Sequence, residues 1–138
     1  MSGHLLDTNI TSELRKRKPH GGVISWLNQV DPNQVYVSAA TIGEMQAGIE
    51  ITRRQDAAKA LELERWVDQL SEMFTVLPMD GDCFREWARL MNGKPDHLYE
   101  DAMIAATARL YDLTVVTRNV RDFEQFGVPV LNPFETRP

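Results

Sequence analysis

The chain has almost no cysteine. Cys83 is the single one in 138 residues, which excludes an intrachain disulfide framework and fits a reducing cytoplasm. Histidine is sparse as well. His4, His20 and His97 lie far apart, without the paired spacing of a zinc site. No apolar run approaches the roughly 18 residues that span a bilayer, and no basic segment followed by an apolar one opens the chain, so neither a membrane span nor a secretory signal is expected. Internal repeats, linkers and low-complexity segments are missing too, and residues 1–138 are expected to form a single domain. A surplus of positive charge is also lacking: 15 Lys and Arg face 20 Asp and Glu, a net charge of -5. By itself this argues against a nucleic-acid binder, whose phosphate contacts come from cations. A metal-dependent nuclease is the exception, because its acidic ligands enter the same total.

What is present is an alternation of short apolar strands and helices. Residues 4–6 read as a strand, 9–17 as a helix ending in the basic run Arg15, Lys16, Arg17, Lys18, and 22–30 as a second helix. "VYVS" (35–38) is a strand running into a helix from about Thr41, with Ser38 as its N-cap. Leu63, Trp66, Val67, Leu70 and Phe74 form an amphipathic stripe within a helix over 56–74. "TVLP" (75–78) is a strand, and a helix from Asp80 to about Met91 turns Cys83, Phe84, Trp87, Ala88 and Met91 inward. A loop (92–98), an alanine-rich helix (99–111) and the strands "LTVVT" (113–117) and "VPVL" (128–131) complete the chain. Such alternation predicts an α/β protein, a parallel sheet of about five strands covered on both faces by helices. Ligands of such sheets gather outside the carboxyl ends of the strands.

Acids occur at those ends. Asp7 ends the first strand, Glu44 lies in the first turns after the second, and Asp122 lies just past "LTVVT". Asp101 shares a helix face with Ile104, Ala105 and Ala108, an apolar face on which an unpaired charge is costly. Glu100 is offset by about 100° around that helix and has an ordinary solvent explanation. Each acid has a plain alternative: Asp7 as a helix cap, Glu44 as a partner of the helix dipole, Asp122 as the cap of a short helix. Their convergence on one edge favours a bound cation, and oxygen-only ligands suit Mg²⁺ or Mn²⁺.

The segments "LLDTN", "TIGEMQAGI", "EDAMIAATA" and "LTVVTRNVRDFEQFGVPVLNPF" resemble a PIN domain of the VapC-type toxin ribonuclease family, nearest to its FitB-like members. The resemblance covers nearly the whole chain. It implies a three-layer sandwich, an acidic quartet at Asp7, Glu44, Asp101 and Asp122, and a magnesium-dependent endoribonuclease neutralised by a VapB-type antitoxin. Asp7 and Asp101 are then expected as principal metal ligands. Glu44 and Asp122 would bind through water, place a second metal or orient the attacking water. Thr8, Asn9, Thr117 and Asn119 are candidates to support them, Thr117 having the alternative of bonding backbone at a strand end.

RNA phosphates would need cations near these acids. Arg15, Lys16, Arg17 and Lys18 follow the first helix, and Arg118 and Arg121 flank Asn119 and Asp122; a solvated helix end is the alternative for the 15–18 run. Trp26, Trp66 and Trp87 fall on apolar stripes and read as core or subunit packing, and surplus apolar residues between 23 and 74 hint at a homodimer. Cys83 reads as an inert core thiol. Three rival functions remain. A phosphoacceptor domain would carry an acidic pair after the first strand and a lysine after the last, and a phosphatase of the Asp-x-Asp type would carry a second acid where "DTN" has none. A non-catalytic binding module on the same fold would tolerate loss of one or more of the four acids.

Overall fold

The computed structural model describes residues 3–135. Five parallel strands form one sheet in the order β3-β2-β1-β4-β5, with β1 His4–Leu6, β2 Val35–Ser38, β3 Thr75–Leu77, β4 Thr114–Val116 and β5 Val130–Leu131. Among the described residues, seven α-helices cover it: α1 Thr8–Leu14, α2 Gly21–Gln29, α3 Ala39–Arg53, α4 Ala57–Met73, α5 Gly81–Met91, α6 Tyr99–Tyr111 and α7 Val120–Glu124. The first three strands build outward in one direction, and the chain then crosses back to lay β4 on the other side of β1. The order therefore reverses beside β1, where His4–Leu6 pairs with Val35–Val37 on one flank and Thr114–Val116 on the other. A crevice opens at such a reversal point.

The strands are apolar throughout because both faces are covered. Leu5 and Val115 point into a core shared with Leu98, Ala102, Ala105 and Phe123, while their neighbours Leu6 and Val116 point into another with Ile10, Val23, Trp26 and Leu70. This is the two-residue alternation of a pleated strand. Gly3 leads into β1 where no side chain fits: a Cβ there would lie 2.7 Å from the Tyr36 ring and 2.9 Å from Leu113.

The three-layer arrangement and the element order follow the sequence reading, with local differences. Helix α1 ends at Leu14 rather than 17. Pro19 disfavours helical backbone at the residue before it, and Arg15–Lys18 leave the helix as turn and bend. Helix α3 begins at Ala39, two residues early, with Ser38 as N-cap accepting the Ala40 N–H at 3.0 Å. Phe84 and Ala88 face outward, Phe84 being 44% exposed. The inward stripe of α5 is Cys83, Trp87, Leu90 and Met91, one position round from the expected one. Among the described residues, no helix is long and apolar enough to cross a membrane.

Candidate active site

Asp7 fits its reading as a helix cap. It is the N-cap of α1, its Oδ1 accepting the Thr8 N–H at 2.8 Å. Its Oδ2 accepts from the Thr117 hydroxyl at 2.8 Å and from the Asn9 amide at 3.1 Å. Residues leaving the paired strands β1 and β4 thus meet at the reversal point, and the backbone ties them there through Asp7 N–H to Val116 C=O, 2.9 Å. Thr117 is more than a strand-end hydroxyl. While donating to Asp7, it accepts from the Asn9 amide at 3.1 Å and from the Asn119 N–H at 2.9 Å. The carboxylate is 4% exposed. Burial pushes its pKa up, the Thr117 and Thr8 bonds pull it down, and the charges of Glu44 and Asp122 push it up further.

Glu44 enters from α3 and accepts the Thr8 hydroxyl at 2.6 Å. Asp101, half-buried on the first turn of α6, is pushed up to about 7, first by burial and then by the charges of Asp7, Asp122, Glu44 and Glu100. Glu100 departs from its expected role. Its carboxyl lies against that of Glu44, and this bond, then burial, raises it to about 7. Its place in the first turn of α6 and a flexible side chain bring it back to the cluster despite its offset. The adjacent acids of "YED" were the sequence signal for a fifth member.

Asp7, Glu44 and Asp101 line one open pocket of about 410 Å³ together with Thr8, Asn9, Lys16, Arg118, Asn119 and Phe134. Asp122 lies within electrostatic reach of Asp7 and Asp101 but lines an adjoining hollow with Arg118, Asn119 and Arg121. The proposed cations divide. Lys16 and Arg118 reach the acidic pocket. Arg15 lines a groove between α1, α3 and α4, floored by Met45, Ile49 and Trp66. Arg17 and Lys18 are exposed and line neither hollow. Of the tryptophans, Trp26 is core, Trp87 donates to the Tyr99 carbonyl at 2.9 Å, and the Trp66 indole N–H has no partner. Cys83 is buried, and burial raises its thiol pKa, as for an inert residue.

The donors suit a hard divalent cation. They are carboxylate oxygens that repel one another, two of them holding protons up to about pH 7. Among the described residues, no three acidic, histidine or cysteine side chains stand ready as a cage. Mg²⁺ does not require one, since it is commonly held by one or two carboxylates and keeps several waters. Zinc would want nitrogen or sulfur ligands, which this cluster does not offer.

The class these features define is an open parallel α/β sheet with an acidic pocket at its reversal point. The chain belongs to the PIN domain family, whose profile matches residues 4–128. It is 35% identical over 140 residues to the plasmid stability protein StbB of Pseudomonas syringae pv. tomato, covering 95% of this chain and 98% of that one. Toxin FitB of Neisseria gonorrhoeae is 32% identical (94% and 97% covered), and the VapC ribonuclease Y4jK of Sinorhizobium fredii is 34% identical (95% and 97% covered). Among solved structures, FitAB bound to an IR36 DNA fragment superposes with a TM-score of 0.81 at 31% identity, covering 98% of each chain.

Proposed function

We propose that this protein is the toxin of a toxin–antitoxin pair, a metal-dependent endoribonuclease that works in the cytoplasm with Mg²⁺, or Mn²⁺ in its place. One observation carries the reading. Acids from four separate stretches of chain lie within electrostatic reach at the sheet's reversal point, and those with raised pKa values are raised partly by one another. Names of relatives, a toxin and a VapC ribonuclease, support it.

Asp7 and Asp101 would hold the cation, with Glu44 and Asp122 completing its surroundings or orienting water. Bound there, the cation would supply positive charge against a phosphoryl oxygen and lower the pKa of a water. The chain's own contribution is preorganisation. Thr8 N–H fixes one oxygen of Asp7, Thr117 and Asn9 fix the other, and the Thr8 hydroxyl fixes Glu44. Asn119 ties its backbone to the same Thr117 oxygen. Lys16 and Arg118 offer cations to the RNA backbone at the pocket, and Arg15 and Arg121 flank it. Purified protein should cut total RNA in Mg²⁺ and stop in EDTA. Equal cutting in both would overturn metal dependence, and no cutting in either Mg²⁺ or Mn²⁺ would overturn the nuclease reading in favour of a binding module.

The partner would be a VapB-type antitoxin presenting an Arg or Lys to the acids, since a cation there relieves the same repulsion as a metal. Strong induction of the chain alone should arrest growth, and co-expression of its antitoxin should restore it. A homodimer is the further proposal, supported by the apolar residues left exposed on α3 and α4, Ile51 at 65%, Leu61 at 47% and Met73 at 48%. Sedimentation equilibrium that gives a monomer at micromolar concentration would overturn it.

A further inference from the structure

An acidic pocket repels the phosphodiester it is meant to cut, so a cation must face it with free hydrogen-bond donors. Among the described residues, two cations line this pocket, Lys16 and Arg118. Lys16 is engaged, its ammonium 2.9 Å from Glu13. Arg118 makes no ion pair among the described residues. Its guanidinium carbon instead lies 3.7 Å from the centre of the Phe134 ring. Stacking uses the flat face of a guanidinium and leaves its five in-plane N–H groups free, the fork that matches a phosphate bidentately.

We infer that Phe134 is a positioning residue for RNA: its ring holds the Arg118 guanidinium at the acidic pocket so that this arginine takes a backbone phosphate. The inference rests on the ribonuclease reading above. Both ends of the arm are tied down. The Arg118 N–H donates to the Asn9 side chain at 3.3 Å, the same Asn9 that donates to Asp7. Phe134 sits in the turn Pro133–Glu135, its N–H held by the Asn132 side chain at 3.0 Å and its ring against the His20 ring at 5.0 Å. The C-terminal "NPF" segment thereby becomes part of the substrate site, although more than 120 residues separate it from Asp7. Phe134 acts through Arg118 rather than as a platform for a base, because its ring is already occupied by the guanidinium and by His20.

The test compares the full chain with Phe134→Leu, Phe134→Trp, Arg118→Gln and the Leu/Gln double variant in Mg²⁺. Cleavage of a fluorescent RNA oligonucleotide of randomised sequence gives kcat and KM. The same oligonucleotide in EDTA, where cutting stops, gives binding across a salt series. Phe134→Leu should raise KM by about 2–5-fold with kcat little changed, and Phe134→Trp should restore the parent value. Arg118→Gln should flatten the salt dependence of binding by about 0.7 in the log–log slope, one phosphate contact to a single strand. The double variant should be no worse than Arg118→Gln. An unchanged KM in Phe134→Leu, an unchanged slope in Arg118→Gln, or a Phe134→Leu penalty that persists in the Arg118→Gln background would overturn the inference. Should Phe134→Leu melt early, the slope of Arg118→Gln and the KM of Phe134→Trp decide. A parent protein that neither binds nor cuts RNA defeats the ribonuclease reading instead, so the two failures are distinguishable.

Discussion

Two corners of the same pocket handle a buried carboxylate in opposite ways. Glu13 is 6% exposed, yet the Lys16 ammonium holds its pKa below the ordinary range, outweighing burial, with help from the His20 N–H at 2.8 Å. Across the pocket, Asp7, Asp101 and Glu100 are all held above it. Glu13 draws its counter-charge from within the chain and is satisfied as it stands. Among the described residues the cluster has hydroxyls and amides but no cation bonded to it, so its charge is left for something that arrives. A carboxylate's burial alone therefore does not mark a site; the absence of an internal partner does.

The largest effect should come from removing one charge of the cluster. Asp101→Asn keeps the shape but makes a poor ligand for Mg²⁺, and RNA cleavage should fall by at least about 100-fold. Melting in EDTA should stay equal or rise, because one repulsion is relieved. Parent-like cleavage, or a much lower melting point, would remove Asp101 from the metal site.

The same chemical change on the other side should do the reverse. Glu13→Gln leaves Lys16 without its carboxylate and weakens the bond from His20, so it should cost about 1 kcal/mol of stability in urea titrations. Because Glu13 has a depressed pKa, this stabilisation is present above the ordinary carboxylate range and is lost as pH falls through the folded value. The gap between parent and variant should close in acid. A gap that widens there would mean that Glu13 is not held ionised.

Asp101 should show the opposite pH dependence. Its folded value of about 7 lies above its ordinary 3.8, so the folded chain binds the extra proton between these limits, and its contribution to stability declines as pH rises through about 7. In EDTA, the melting points of parent and Asp101→Asn should lie closest near pH 4, separate progressively in favour of Asn up to about pH 7, and change little above it. Metal affinity should rise over the same window, since ligands must lose their protons. Parallel melting curves at all pH values would break the contrast with Glu13.

Most of the framework was legible from periodicity, because strands buried on both faces read as short apolar runs and the helices keep their stripes. The acids were legible for the same reason: strand ends are marked by where apolar runs stop, as at Leu6–Asp7. What was not legible depends on contacts between distant segments. Glu13 looks like any helical surface acid until Lys16 and His20 fold back onto it. Phe134 reads as one more apolar residue near a terminus until Arg118 lies on its ring. The end of α1 was missed because apolar spacing does not register the restriction that Pro19 places on the backbone before it.

Glu100 sharpens the comparison most, though its effect should be the smallest. Helical geometry alone makes it a bystander, and a bystander's Glu100→Gln variant would change nothing. In the structure its carboxyl meets that of Glu44, and a proton between them raises it to about 7. Gln replaces that shared proton with an amide N–H, which can donate to Glu44 permanently. The cluster as a whole then carries less negative charge near neutrality. At pH 8, where Glu100 is mostly ionised, that lost charge weakens cation binding, and half-maximal Mg²⁺ for cleavage should rise a few-fold. At pH 6, where Glu100 is mostly protonated, parent and variant should need nearly the same Mg²⁺. Magnesium titrations of cleavage at the two pH values decide it: a penalty confined to high pH puts Glu100 in the cluster, and identical curves at both return it to the surface.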